Sequence, residues 1–268
     1  MSAAESFVAR MGGDSSRAEP SGAETPAPRP ALASDTAMVM AAGLGKRMRP
    51  LTASRPKPMV KVAGKPLIDH ALDRLVRAGI SRAVVNVHYL ADSMEAHLAR
   101  RTAPRIAISD ERELLLETGG GLVRAEPLID ADPFFCLNSD TLWLDGPTDV
   151  FRQLSAAWDP ARMDALLLLV PHPRAHNYRG AGDFHLDPSG RISRRRPGRV
   201  APFVFSGIQL IARALLRDPP QEASFSTNLF WNRALADGRL YGEIHQGEWI
   251  EIGMPHHIAP AEALFQHG

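Results

Sequence analysis

The sequence predicts an α/β fold built on a mainly parallel sheet covered by helices. Two observations carry this. From residue 38 onward, short apolar or β-branched runs alternate with stretches of helical spacing, the order that strand-helix-strand units require. Residues 165–170 read Ala-Leu-Leu-Leu-Leu-Val with no polar alternation, as in a strand buried on both faces.

The elements follow in order. Residues 38–42 make a first apolar strand that ends in a Gly-rich turn. Leu67, Ile68, Ala71, Leu72, Leu75 and Val76 recur at helical spacing over 67–78, and Gly79 fits a helix stop. Residues 83–87 are a β-branched run, 92–101 a helix and 105–108 a strand. A helix opens at 120–125, a buried strand follows at 134–137, and 148–158 is helical. In the second half, Asp187-Pro188-Ser189-Gly190 is hairpin-turn chemistry between strands 183–186 and 191–193. Further strands fall at 203–211, 240–245 and 249–252, with helices at 224–236 and 258–265. No internal repeat is present.

The chain has 268 residues, 44% hydrophobic and 23% charged, which supplies one sizeable core. Its net charge of +1 offers no broad basic surface, which argues against a nucleic-acid partner. Cys136 is the sole cysteine, so neither a disulfide within the chain nor a zinc cluster of cysteines can form. It is expected in the core. The histidines are read as surface or loop residues. No apolar run reaches the roughly 20 residues a membrane span needs, and no leader pattern opens the sequence. The expected location is therefore cytoplasmic, with no membrane partner, as a monomer or small homo-oligomer. Pro20, Pro26, Pro28 and Pro30 lie among Ala, Ser, Gly and Glu. Residues 1–36 are therefore expected to be a disordered tail, with the domain at 37–268. Initiation at Met38 is an alternative to the tail.

Three sites carry chemistry. The first is Ala41-Ala42-Gly43-Leu44-Gly45-Lys46-Arg47-Met48-Arg49-Pro50, directly after the first strand. Glycines let backbone N–H groups approach a phosphate, and Lys46 and Arg47 add positive charge. Pro56 and Pro58 then restrict the backbone around a further cation, Lys57. A triphosphate needs this combination. Met48 stands where a dinucleotide fingerprint has its third glycine. The second site is Asn138-Ser139-Asp140 at a strand end, where α/β folds bind ligands. Asp140 suits Mg²⁺ there. The third is Glu117-Thr118-Gly119-Gly120-Gly121, which would offer free N–H groups at a helix start.

The strings Gly43–Thr52, Lys57-Pro58-Met59-Val60 and Gly64-Lys65-Pro66-Leu67-Ile68 resemble the signature of sugar-1-phosphate nucleotidyltransferases. The resemblance runs from about residue 37 to the C-terminus. It implies a Rossmann-like three-layer sandwich with a mixed, mainly parallel central sheet. It also implies catalytic Arg47 and Lys57, and nucleotide contacts at Ala42, Gly43, Gly45, Lys46, Arg47, Lys57, Thr118, Gly119 and Gly120. Sugar-phosphate contacts would fall at Glu117, Asn138, Gly182, Asp183, Ser206 and Gly207. Mg²⁺ would sit on Asp140 and Glu251.

Leu-Glu-Thr-Gly-Gly-Gly over 116–121 and Gly182-Asp183-Phe184 resemble the branch that uridylylates N-acetylmuramate 1-phosphate in peptidoglycan recycling. Glucose-1-phosphate and mannose-1-phosphate enzymes, phosphocholine with CTP, and a regulatory protein without catalysis are the alternatives. Three positions depart from the family pattern. Ser139 replaces a glycine, and Glu251 replaces an aspartate. Arg194-Arg195-Arg196-Pro197 stands where relatives carry Glu-Lys-Pro. One of those arginines could meet the lactyl carboxylate of muramate; a solvated basic strand end is the plainer reading.

Overall fold

The structure, a computed structural model, describes residues 30–267. In chain order its strands are β1 (Thr36–Met40), β2 (Lys61–Val62), β3 (Lys65–Pro66), β4 (Arg82–Val87), β5 (Arg105–Asp110), β6 (Phe134–Asn138), β7 (Thr141–Leu144), β8 (Ala165–Pro171), β9 (Ala175–His176), β10 (Phe184–Leu186), β11 (Ile192–Arg194), β12 (Phe203–Ile211), β13 (Leu240–Ile244) and β14 (Glu248–Glu251). The α-helices are α1 (Leu67–Ala78), α2 (Ala91–Leu98), α3 (Glu117–Ala125), α4 (Val150–Ala157), α5 (Asn228–Ala236) and α6 (Ile258–His267).

The central sheet is mixed and mainly parallel. β6, β1, β4 and β5 lie side by side and parallel. β12 runs against β6 and against β8, and β13 runs with β8. At its other end β12 pairs with β10, which pairs with β11. Among these strands only β11 and β12 oppose the direction of β1.

Alternation along each strand makes two cores. Phe135 and Leu137 of β6 face one way, with Ile68 and Leu72 of α1, Met94 of α2 and Phe151 of α4. Phe134 and Cys136 face the other way, with Leu122 of α3 and Phe230 and Trp231 of α5. The result is a three-layer sandwich. Each fully buried Leu or Phe contributes roughly 1.5–3 kcal/mol. Cys136 lies in this core, where burial pushes its thiol up to about 12. A small sheet of β7, β14 and β9 covers one end, over a third core that joins Met48, Leu142 and Ile250 to Ala261 of α6.

Several local expectations shift. Val76 is 41% exposed, outside the apolar stripe of α1. Gly79 stops α1 at φ 96°. The helix expected over 148–158 is shorter, because Asp149 caps it by accepting the Arg152 N–H at 3.1 Å. The helix expected over 224–236 begins only at Asn228, since the segment before it bonds to α3. Strand β7 was not expected. Residues 30–36 pack onto the domain rather than forming a tail: Thr36 is buried, and the Ala33 N–H donates to Ser155 Oγ at 3.0 Å. The remainder of the expected tail, 1–29, lies outside the described residues.

The carboxyl ends of β1, β4 and β6 lie at one level, at Met40, Asn86 and Asn138. That edge is where open α/β sheets place ligands.

Candidate active site

The glycine loop leaves β1 on a set of staples. The Ala41 N–H donates to Asn86 Oδ1 at 2.6 Å. Gly45 is left-handed at φ 61°, and its carbonyl accepts from Thr52 Oγ1 at 2.9 Å. The Tyr89 hydroxyl holds the Thr52 carbonyl in turn, at 3.1 Å. A 3₁₀ turn over Lys46–Met48 then sinks Met48 fully into the third core. Packing therefore explains why no glycine stands at Met48. The turn leaves Arg47 mostly exposed, facing Glu251 at 3.7 Å.

Lys57 sits in a second 3₁₀ turn, between Pro56 and buried Pro58. Its ammonium donates to the Asp140 carboxylate. Gly45 and Lys57 are tightly packed: a Cβ on Gly45 would lie 2.8 Å from Lys57 Cβ. The loop that carries Arg47 thus fixes the stem of Lys57.

Asp140 lies in the turn between β6 and β7. Pairing of β14 with β7 sets Glu251 opposite Thr141, one residue from Asp140. Two carboxylates from distant parts of the chain so meet two cations, as Asp140 with Lys57 and Glu251 with Arg47. Both carboxylates are about one-third exposed. These hard oxygen donors fit Mg²⁺, which takes its other ligands from phosphate oxygens and water. No group of three or more His, Cys, Asp and Glu side chains gathers among the described residues, so a cage made wholly of protein ligands is not offered there.

A cavity of about 430 Å³ opens beside these pairs. Ala42, Gly43, Lys57, Glu117, Thr118, Asn138, Ser139 and Asp140 line it, brought together from four separate segments. Asn86, Leu115 and Ser226 also line it, and the sequence reading passed over them. Gly45, Lys46, Arg47 and Glu251 stand outside this lining. Gly182, Asp183, Ser206 and Gly207 stand outside it too, and of these Gly207 reaches the lining, against Asn138. β12 changes register between Phe205 and Gln209. Within that bulge Gly207, at φ 87°, comes so close to Asn138 that a Cβ would lie 2.8 Å from Asn138 Nδ2.

Some expected roles are corrected. Gly119 and Gly120 do not offer free N–H groups. Both donate to the Phe225 carbonyl, at 2.8 and 3.1 Å. α3 begins at Glu117, so these glycines sit inside it and outside the lining of the cavity. They are glycines because the 223–225 strap crosses them; a Cβ on Gly119 would lie 2.5 Å from the Phe225 ring. Gly121 makes room for Glu111, whose Oε1 would lie 2.9 Å from an added Cβ. Glu111 is buried and accepts from Asn86 Nδ2 at 2.7 Å, and burial raises its pKa. Glu111, Asn86 and the Ala41 amide thus form one buried polar chain behind the glycine loop.

Asp183 uses one carboxylate oxygen to accept the Phe205 N–H at 2.9 Å, and Ser206 Oγ accepts the Ile208 N–H at 3.1 Å. These side chains brace the bulge. Arg194 donates to Asn228 and Asn232, both at 2.8 Å, and Arg195 donates to the Gly182 carbonyl at 2.9 Å. Both are framework contacts, which leaves less of the arginine run to meet a ligand. His257 and His245 are buried, contrary to the surface reading. His257 Nδ1 accepts the Gly253 N–H at 3.2 Å, just past Glu251. Burial depresses the pKa of both histidines.

A family model described as nucleotidyl transferase matches residues 36–194. The chain is 46% identical over 231 residues to N-acetylmuramate alpha-1-phosphate uridylyltransferase of Caulobacter vibrioides, covering 85% of this chain and 95% of that protein. It is 36% identical to the protein of the same name from Neisseria meningitidis serogroup B, covering 85% and 97%. The inositol-1-phosphate CTP transferase of T. maritima shares the fold, with a TM-score of 0.71 at 17% identity, covering 87% of this chain and 96% of that one. The chain belongs to the nucleotidyl transferase family, among its sugar-1-phosphate nucleotidyltransferases.

Proposed function

We propose that the chain transfers uridylate from UTP to N-acetylmuramate α-1-phosphate in a Mg²⁺-dependent reaction, releasing pyrophosphate. By the same reading it works in the cytoplasm, in peptidoglycan recycling. Lys57 paired with Asp140 in the lining of the cavity, with Arg47 paired to Glu251 opposite the neighbouring Thr141, carries the reading for reaction type. Similarity to two relatives named for that substrate supports the choice of sugar.

The chemistry needs alignment and charge more than proton transfer. The acceptor phosphate oxygen is already ionised near neutral pH. It forms a bond to the α-phosphorus while the bond from that phosphorus to the bridging oxygen breaks, and the electron pair leaves with pyrophosphate. The two substrates are anions that repel each other, so the protein must hold them in line. Ala42 and Gly43 let the triphosphate approach the backbone, with no atom within 4 Å of where a Cβ on Gly43 would stand. Arg47 neutralises the departing phosphates, and Lys57 balances charge at the α-phosphate. Thr118 borders the nucleoside end, while Glu117, Asn138 and the Gly207 bulge border the acceptor. Held by Asp140 and Glu251, Mg²⁺ would supply further neutralisation of phosphate oxygens.

Pyrophosphate release with UTP, CTP, GTP or dTTP against the 1-phosphates of N-acetylmuramate, N-acetylglucosamine, glucose and mannose tests the reading. The expected optimum is UTP with N-acetylmuramate 1-phosphate. A clear preference for GTP with mannose 1-phosphate would reassign the substrate. Binding without turnover of any pair would mark a nucleotide-sugar sensor.

A further inference from the structure

Tyr178 was not among the site residues that the sequence indicated. β9 runs beside β14 and pairs Trp249 with Ala175 and Ile250 with His176. Asn177 and Tyr178 are therefore carried past Glu251. Asn177 turns there with φ 63°, and its amide donates to the Glu251 carbonyl at 3.2 Å and the His257 carbonyl at 3.1 Å. Tyr178 leaves this pinned turn toward Gly182 and Asp183.

The phenol ring is held edge-to-face by Trp249 at 6.5 Å and by His172 at 5.6 Å. Trp249 is itself fixed, since its indole N–H donates to the Ser206 carbonyl at 2.8 Å. That carbonyl belongs to the bulge that touches Asn138. Gly180 passes so close to the phenol oxygen that any side chain there would collide with it. Burial first, and then the Asp183 carboxylate, raise the phenol pKa, while the Gly182 N–H facing the phenol oxygen opposes them. The group stays a neutral O–H donor. No acceptor among the described residues takes its proton, although the ring is held on several sides.

We propose that Tyr178 donates a hydrogen bond to the sugar 1-phosphate, as an acceptor-binding residue beside Asp183 and Glu251. A rigid donor with an uncommitted proton, beside both the bulge and a carboxylate of the reaction centre, suits an oxygen-rich ligand. The nucleoside end lies elsewhere, at Thr118 and Ser226. This inference rests on the proposed function, because it needs a sugar phosphate as acceptor.

Tyr178→Phe keeps the ring and its packing on Trp249 and His172, and removes only the hydroxyl. Steady-state kinetics with UTP and N-acetylmuramate 1-phosphate should show the acceptor KM raised roughly five- to tenfold, the size of one lost neutral hydrogen bond. The UTP KM and the melting temperature should match the wild type. An unchanged acceptor KM in an active Tyr178→Phe protein overturns the proposal and leaves the proposed function standing. Equal rises in both KM values, or a lowered melting temperature, also overturn it, as signs of a structural role. A wild-type protein that turns over no sugar 1-phosphate overturns both.

Discussion

Replacing Gly45 by alanine should damage catalysis more than stability. The new Cβ would lie 2.8 Å from Lys57 Cβ and 3.1 Å from Thr52 Cγ2, where ordinary contact begins at 3.4 Å. Lys57 must therefore retreat by about 0.6 Å or the loop must open by as much. Misplacement of a reacting group by about 1 Å can cost 10²-fold, so kcat should fall roughly 10- to 100-fold. The left-handed φ of 61° adds a strain of roughly 1–2 kcal/mol, a drop in melting temperature of roughly 2–8 °C. Gly79→Ala is the control. It faces at least as much backbone strain at φ 96°, its nearest neighbour would be Leu32 Cδ1 at 3.7 Å, and it lies at the far end of α1. Pyrophosphate release measured well below both melting temperatures should separate the two. Gly45→Ala at wild-type rate, or Gly79→Ala slowed to the same degree, would refute the reasoning.

Lys57→Ala should lose on the order of 10²–10³ in kcat; near-normal turnover would remove Lys57 from the mechanism. Asn86→Ala leaves the Ala41 amide and the buried Glu111 Oε1 without their partner, while Glu111 Oε2 keeps the Leu116 N–H. Each such group costs about 1–3 kcal/mol, so calorimetry should show melting lowered by roughly 4–24 °C. Treatment with EDTA should abolish turnover, with recovery on adding Mg²⁺; full activity in EDTA would sink the metal assignment. His245 is buried, donates from Nε2 to the Glu248 carbonyl, and has no partner for Nδ1. Its folded pKa is depressed, so the folded state binds fewer protons than the unfolded one below the ordinary histidine value of about 6.5. Its contribution is complete above that pH and is lost as pH falls toward the folded value. Melting curves from pH 7.5 downward should show this decline, with a shallower slope in His245→Gln.

The glycine loop and the cations near it were legible because their signals are local. Gly43, Gly45, Arg47 and Lys57 lie in one stretch, after a strand whose apolar run is plain. The parallel strands were legible for the same reason, as their buried runs need no partner to be seen. What escaped depends on contacts distant in sequence. Gly119 and Gly120 read as an anion site, yet they are glycines because residues 223–225 cross them. Asp183 carries a framework contact that the sequence did not show, since one of its oxygens accepts the Phe205 N–H. Ser139 lines the cavity with its side chain largely buried, so the added hydroxymethyl group is accommodated. Asn86 left one usable signal. It is a polar residue near the end of a β-branched strand, at the level of Asn138 on β6. Tyr178 left none, since its place follows from the pairing of β9 with β14.

An isotope experiment tests the central claim most directly. N-acetylmuramate 1-phosphate carrying ¹⁸O in its phosphate is incubated with UTP and Mg²⁺, and the products are weighed by mass spectrometry. Attack by the sugar phosphate on the α-phosphorus predicts a UDP-sugar that keeps the whole label and a pyrophosphate that has none. Label in pyrophosphate, or no UDP-sugar at all, would contradict it.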